Sequence, residues 1–101
     1  MIPPTVVHLS TDNTQDPDVL VIDRRSMWGN PFRMAHESQR AHVIEQYRAW
    51  LSSDPSAGPL RAAIRNGALS GKRLACHCAP KPCHGDTLRT MHEQHARVTQ
   101  A

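Results

Sequence analysis

Hydrophobic and polar positions change their period several times along this chain, and each change marks a predicted element. "TVVHLS" at residues 5–10 and "DVLVID" at 18–23 are short runs rich in β-branched residues, and both predict strands. Between them "TDNTQDP" supplies turn chemistry from Asn, Asp, Thr and Pro. "RRSMWGNPF" follows the second strand, and its Gly29-Asn30-Pro31 continues neither a strand nor a helix. A loop with a partly apolar tip is expected there.

From about Glu37 to Ser52 the period becomes helical. Val43, Ile44, Tyr47, Trp50 and Leu51 fall on one face, while Glu45, Gln46, Arg48 and Ala49 form a solvated one. "SSDPSAGP" ends that helix. A shorter one, "LRAAIRNGAL", places Leu60, Ala63 and Ile64 together and stops near Gly67 or Gly71. "KRLACHC" reads as a central strand that Pro80 and Pro82 forbid from extending. A last helix is predicted from about His84 to about Ala96, with Leu88, Met91 and His95 on its buried side and residues 97–101 as a frayed tail.

The order β-β-α-α-β-α predicts a single small α/β domain across residues 1–101. Helices between strands favour crossover connections, hence a partly parallel sheet of about three strands covered by helices.

Composition changes this picture little. At 101 residues, 39% hydrophobic and 21% charged, the chain has room for one modest core. A net charge of +3 is compatible with a phosphate-bearing partner, but Lys and Arg form no run longer than two, so charge does not indicate nucleic acid. No stretch reaches the roughly 18–20 apolar residues of a membrane span, and "MIPPTVVHLS" lacks the layout of a signal peptide. A cytoplasmic protein with no membrane partner is expected. Three cysteines, an odd count, argue against a disulfide framework and toward metal, catalysis or burial.

All three cysteines stand in "LACHCAPKPCHGD". Strand alternation puts Leu74, Cys76 and Cys78 on one face and Ala75 and His77 on the other. Cys76, Cys78, Cys83 and His84 are four ligands for a small zinc module, although Cys-x-Cys on an extended strand chelates poorly. An iron–sulfur cluster lacks its fourth thiolate. Alternatively, Cys76 and Cys78 pack as small hydrophobes and the chemistry lies in "CHGD". A helix opening there presents unpaired N–H groups and the positive end of its dipole beside Cys83, conditions that favour a reactive thiolate. Cys83 is then the nucleophile candidate, with His84 or Asp86 as acid or base and Gly85 leaving room for a ligand near the backbone. The competing reading makes Asp86 an ordinary helix-start residue.

"RRSMWGNPF" offers a second constellation. Arg24 and Arg25 would clamp a phosphate or carboxylate, Trp28 would stack on a ring and Asn30 would read a polar edge. If strands two and three are parallel, this loop and the "APKPCHGD" turn emerge on one sheet edge and share a pocket. Otherwise Trp28 and Phe32 plug the end of the sheet. No motif implies a cofactor.

Together "IDRRSMWGNPF", "VIEQYRAWL" and "GKRLACHCAPKPCHGDTL" resemble the domain of unknown function 4326 family, small proteins common in bacteria and their phages. The likeness runs from about Val6 to Met91. Asp23 stands where that family usually has glycine, and His77 where it often carries a large aromatic. The closing Cys-His turn is similar, more loosely, to domain of unknown function 488. The resemblance implies a compact α/β fold and supplies no reaction.

The residues point first to a protein binding a phosphorylated or nucleotide-like small molecule between the Arg24–Phe32 loop and the Cys83–Asp86 helix start. A phage-type protein that binds and modulates a host protein is the alternative from another class, and the zinc module is the third.

Overall fold

The three predicted strands form one parallel sheet whose last strand in sequence lies in the middle. A computed structural model describes residues 3–9, 15–23, 26–77 and 81–100, the final five only as the course of a helix. Arg24, Arg25, Cys78 and Pro80 lie outside the described residues. β1 (Thr5–His8) and β2 (Val19–Val21) flank β3 (Arg73–Cys76). Val6 and Leu20 are both registered on Leu74, so a continuous apolar row crosses the sheet. The ladder runs one step past the formal strand ends. Leu9 N–H donates to the Cys76 carbonyl and Ile22 N–H to the Ala75 carbonyl, each at 3.0 Å.

Position in the sheet explains the composition of β3. Leu74, Ala75 and Cys76 are all buried, as a strand paired on both sides requires. The amino ends are tied by polar contacts instead. Arg73 N–H donates to the Asp18 carbonyl at 2.7 Å, and its guanidinium pairs with Asp16 at 2.7 Å.

A 3-10 turn at Glu37–Gln39 leads into α1 (Arg40–Ser53), whose Val43, Tyr47 and Leu51 are buried. The corner after α1 is sharper than its breaker residues suggest. Asp54 accepts from Ser56 N–H at 2.9 Å and opens a second 3-10 turn, Pro55–Ala57, while Arg61 donates to the Leu51 and Asp54 carbonyls at 2.9 Å. α2 (Gly58–Arg65) therefore starts two residues earlier than the pattern predicts. It stops where Gly67 takes φ 85°, with Ala68 N–H donating to the Ala63 carbonyl and Gly67 N–H to that of Ile64. That pair of bonds is a Schellman closure, which needs the left-handed residue only glycine adopts freely.

α3 (His84–Gln100) lies against β1 and β3, and α1 and α2 pack on α3 and on each other. It is longer than predicted, taking in most of the expected tail. Its inner face carries Leu88, Met91 and His92, whereas the predicted His95 is only half-buried. Among the described residues, no helix is long and apolar enough to cross a membrane.

Gly85 sets how closely α3 approaches the sheet. A β-carbon there would sit 2.9 Å from Ile22 Cδ1 and 3.2 Å from both Val6 γ-carbons. Gly85→Ala should therefore lower stability by about 1–3 kcal/mol through overpacking. In urea the unfolding midpoint should fall with an unchanged slope; an unmoved midpoint would show that the helix does not rest on this contact.

Candidate functional site

The carboxyl ends of all three strands meet on one edge, and the first turn of α3 is laid across it. Cys83 is the residue before α3 and caps it. Gly85 N–H donates to Cys83 Sγ at 3.3 Å, and the Asp86 carboxylate accepts from Cys83 N–H at 3.0 Å. This is a reciprocal cap in which sulfur replaces the usual hydroxyl. Asp86 is therefore occupied as the cap partner, and it lines a separate groove with Arg48, Thr87 and Gln94. The space beside Gly85 is filled by Ile22 and Val6, so the sheet stands where a ligand was expected to approach.

His84 points inward. Its Nε2 donates to the Ile22 carbonyl at 2.5 Å, which fixes the tautomer with Nδ1 as acceptor in the neutral ring. Its ring meets that of Tyr47 edge-on at 5.0 Å. Burial holds the imidazole below its ordinary pKa, against the opposing pull of the Ile22 hydrogen bond and nearby Cys76, Asp23 and Asp86. Tyr47 donates to the Trp28 carbonyl at 2.9 Å, and its phenol is pushed up by burial and then by Cys83.

A cleft of about 590 Å³ opens beside this turn, lined by Asp23, Asn30, Phe32, Met34, Arg40, Val43, Ile44, Cys76, His77, Cys83 and His84. Such a volume suits a small organic ligand, for which about 300–1,000 Å³ is usual. Its wall is mostly apolar, and Asp23 and His77 reach it from just beyond the ends of β2 and β3. His77 Nε2 lies 3.3 Å from Asp23 Oδ2. β3 ends at Cys76, so strand alternation no longer governs His77, and both residues line the same cleft.

The two predicted constellations thus come together, though not every member takes part as expected. Asn30 lines the cleft, but its amide donates to the Val43 carbonyl at 3.2 Å and its oxygen accepts from Phe32 N–H at 2.8 Å, so it also ties the loop to α1. Trp28 is 5% exposed and sits in the core, while Phe32 and Met34 supply the cleft's apolar side. Arg24 and Arg25 follow Asp23 in sequence and lie outside the described residues.

Arg40 is the residue that pattern reading missed. Its guanidinium grips Glu37 in a fork at 2.7 and 2.8 Å and donates to the Pro82 carbonyl at 2.9 Å. It thereby braces the turn before α3 against the start of α1, and it lowers the Glu37 pKa. Only its place at a helix start hinted at this, and nothing in the local sequence links it to Pro82. For the zinc reading, Cys76 and Cys83 do meet, but His84 Nε2 is committed to Ile22. Among the described residues, no group of three or more His, Cys, Asp or Glu side chains is arranged to hold a metal ion.

Residues 7–94 match the family described as domain of unknown function (DUF4326). The chain belongs to this family. It is also 36% identical over 67 residues to an uncharacterized 12.4 kDa protein of Enterobacteria phage T4 from the nrdA-td intergenic region. That alignment takes in 66% of this chain and 60% of the phage protein, so it spans less than two thirds of the relative's length. No solved structure matches. Every residue lining the cleft falls inside the DUF4326 segment.

In this DUF4326 chain His92 is a second buried imidazole. It is 1% exposed, and neither ring nitrogen has a hydrogen-bond partner among the described residues. Burial lowers its pKa too, with Glu93 opposing. Both histidines bind protons more weakly folded than unfolded, so stability should fall as pH drops below the ordinary imidazole value of about 6.5. Melting temperatures recorded between pH 8 and 5 should decline over that window, and less steeply for His92→Leu. A flat profile, or one rising toward pH 5, would contradict neutral burial.

Proposed function

We propose that this chain binds a phosphorylated, nucleotide-like small molecule in the cleft at the strand ends, with Cys83 as the nucleophile facing it. The observation that carries the reading is the Cys83 cap. Its sulfur accepts a backbone N–H at the positive end of α3 while lining the cleft. Parallel sheets place ligands at the carboxyl edge, where chains leaving neighbouring strands diverge; here β1 and β2 lie on opposite sides of β3. Phe32, Met34, Val43 and Ile44 offer a ring an apolar wall, and Asn30 borders it.

The division of charge follows from the same geometry. Gly85 and Asp86 N–H groups are used on Cys83 itself. The helix end therefore serves the sulfur first, and Arg24 and Arg25, which follow Asp23 in sequence, are assigned to the ligand's anionic group. His84, fixed by Ile22 with its acceptor nitrogen on the other side of the ring, is the acid–base candidate; Asp86 acts through the cap. The phage T4 relative fits a host-cytoplasmic setting.

Alkylation with iodoacetamide tests the reading, with adenosine monophosphate as the probe. Cys83 should be modified faster than Cys76, and the nucleotide should slow that reaction. Replacing both Arg24 and Arg25 by Gln should weaken the protection about tenfold or more, the loss expected from a charge-assisted hydrogen bond of about 1.5 kcal/mol or above. A Cys83 as inert as Cys76, with no protection by the nucleotide, would overturn it. In that event, capture of one stoichiometric host protein by a chain lacking Cys83 and Arg24 would support the interaction reading instead.

A further inference from the structure

Cys76 ends β3, Cys83 caps α3, and their sulfur atoms are 3.1 Å apart. That is about 1 Å longer than a disulfide bond, a gap that small side-chain rotations close. Both side chains are buried, yet both residues line the cleft, which gives a small oxidant a path to them. We infer that Cys76 and Cys83 form a peroxide-responsive dithiol, with Cys83 as the attacking sulfur and Cys76 as the resolving one. This does not rest on the ligand reading, since it requires only the paired sulfurs and a path for peroxide.

The roles follow from the helix. Cys83 Sγ receives the Gly85 N–H at the positive end of α3, where negative charge on sulfur is favoured. The Cys83 thiolate attacks one oxygen of hydrogen peroxide. An S–O bond forms, the O–O bond breaks, and hydroxide leaves with the electron pair to take up a proton as water. The Cys76 sulfur then attacks the sulfenic acid at Cys83. The S–S bond forms as the S–O bond breaks, and the departing hydroxide takes the Cys76 proton as a second water. Two thiols lose two electrons and one peroxide gains them. Closing this bond takes the Cys83 thiol, the proposed nucleophile, out of the cleft. A dithiol reductant reverses the change.

Cys78→Ser isolates the pair for a test. Treated with hydrogen peroxide, that variant should lose two hydrogens in intact mass and regain them with dithiothreitol. Adding Cys76→Ser, or Cys76→Ala should the first variant fold poorly, should instead leave a single-oxygen adduct at Cys83 that dimedone captures. In the unsubstituted chain, alkylation before and after reduction should place the reversible label on Cys76 and Cys83 and the early label on Cys78. Persistence of both thiols in Cys78→Ser, or oxygen uptake without loss of hydrogens, would overturn the inference. So would a bridge in the unsubstituted chain that runs to Cys78. Iodoacetamide reactivity protected by nucleotide tests the binding reading separately, so either can fail alone.

Discussion

The close seat of α3 on the sheet is the contact on which the rest depends. A side chain at position 85 would collide with Ile22 and Val6, and glycine there lets the helix start lie directly on the strand ends. That placement brings the Cys83 sulfur to Cys76, aims His84 at the Ile22 carbonyl and stands the positive helix end beside the cleft. Without it the same residues would be scattered over a small α/β domain. Arg40 works in the same direction from outside, holding the Pro82 carbonyl and so the approach to the helix.

Burial at this edge has opposite effects on neighbouring groups. It lowers the His84 pKa and raises that of Tyr47, and His84 Nε2 is committed to the Ile22 carbonyl rather than to the sulfur. The sulfur's support comes from the backbone of α3. A wholly side-chain triad is therefore not what the edge resembles; it is a helix-capped thiol with a second thiol at contact distance.

Much of the fold was legible because its signals are local. The β-branched runs "TVVHLS" and "DVLVID", the helical row Val43, Tyr47 and Leu51, and the prolines after Cys76 each reflect a short-range rule, and a partly parallel order followed from the helices between strands. The helix start at His84 was legible for the same reason. Less legible were features set by partners distant in sequence. Trp28 reads as a ligand platform until Tyr47 is seen to take its carbonyl, and the link from Arg40 to the Pro82 carbonyl joins residues 42 positions apart. His77 was assigned by alternation through Cys78, but β3 ends at Cys76, two residues short of that. His92 carried no signal, because one helical position separates it from the expected face.

On the proposed reading, the strand-end edge with Cys83 on it is where this chain meets a small molecule. Amide-resolved NMR during titration with adenosine monophosphate tests it most directly. Shifts should concentrate on Cys83, His84 and Gly85 and on the cleft residues Asn30, Phe32 and His77. Shifts confined to the groove of Arg48, Thr87 and Gln94, or no shifts at all, would contradict it.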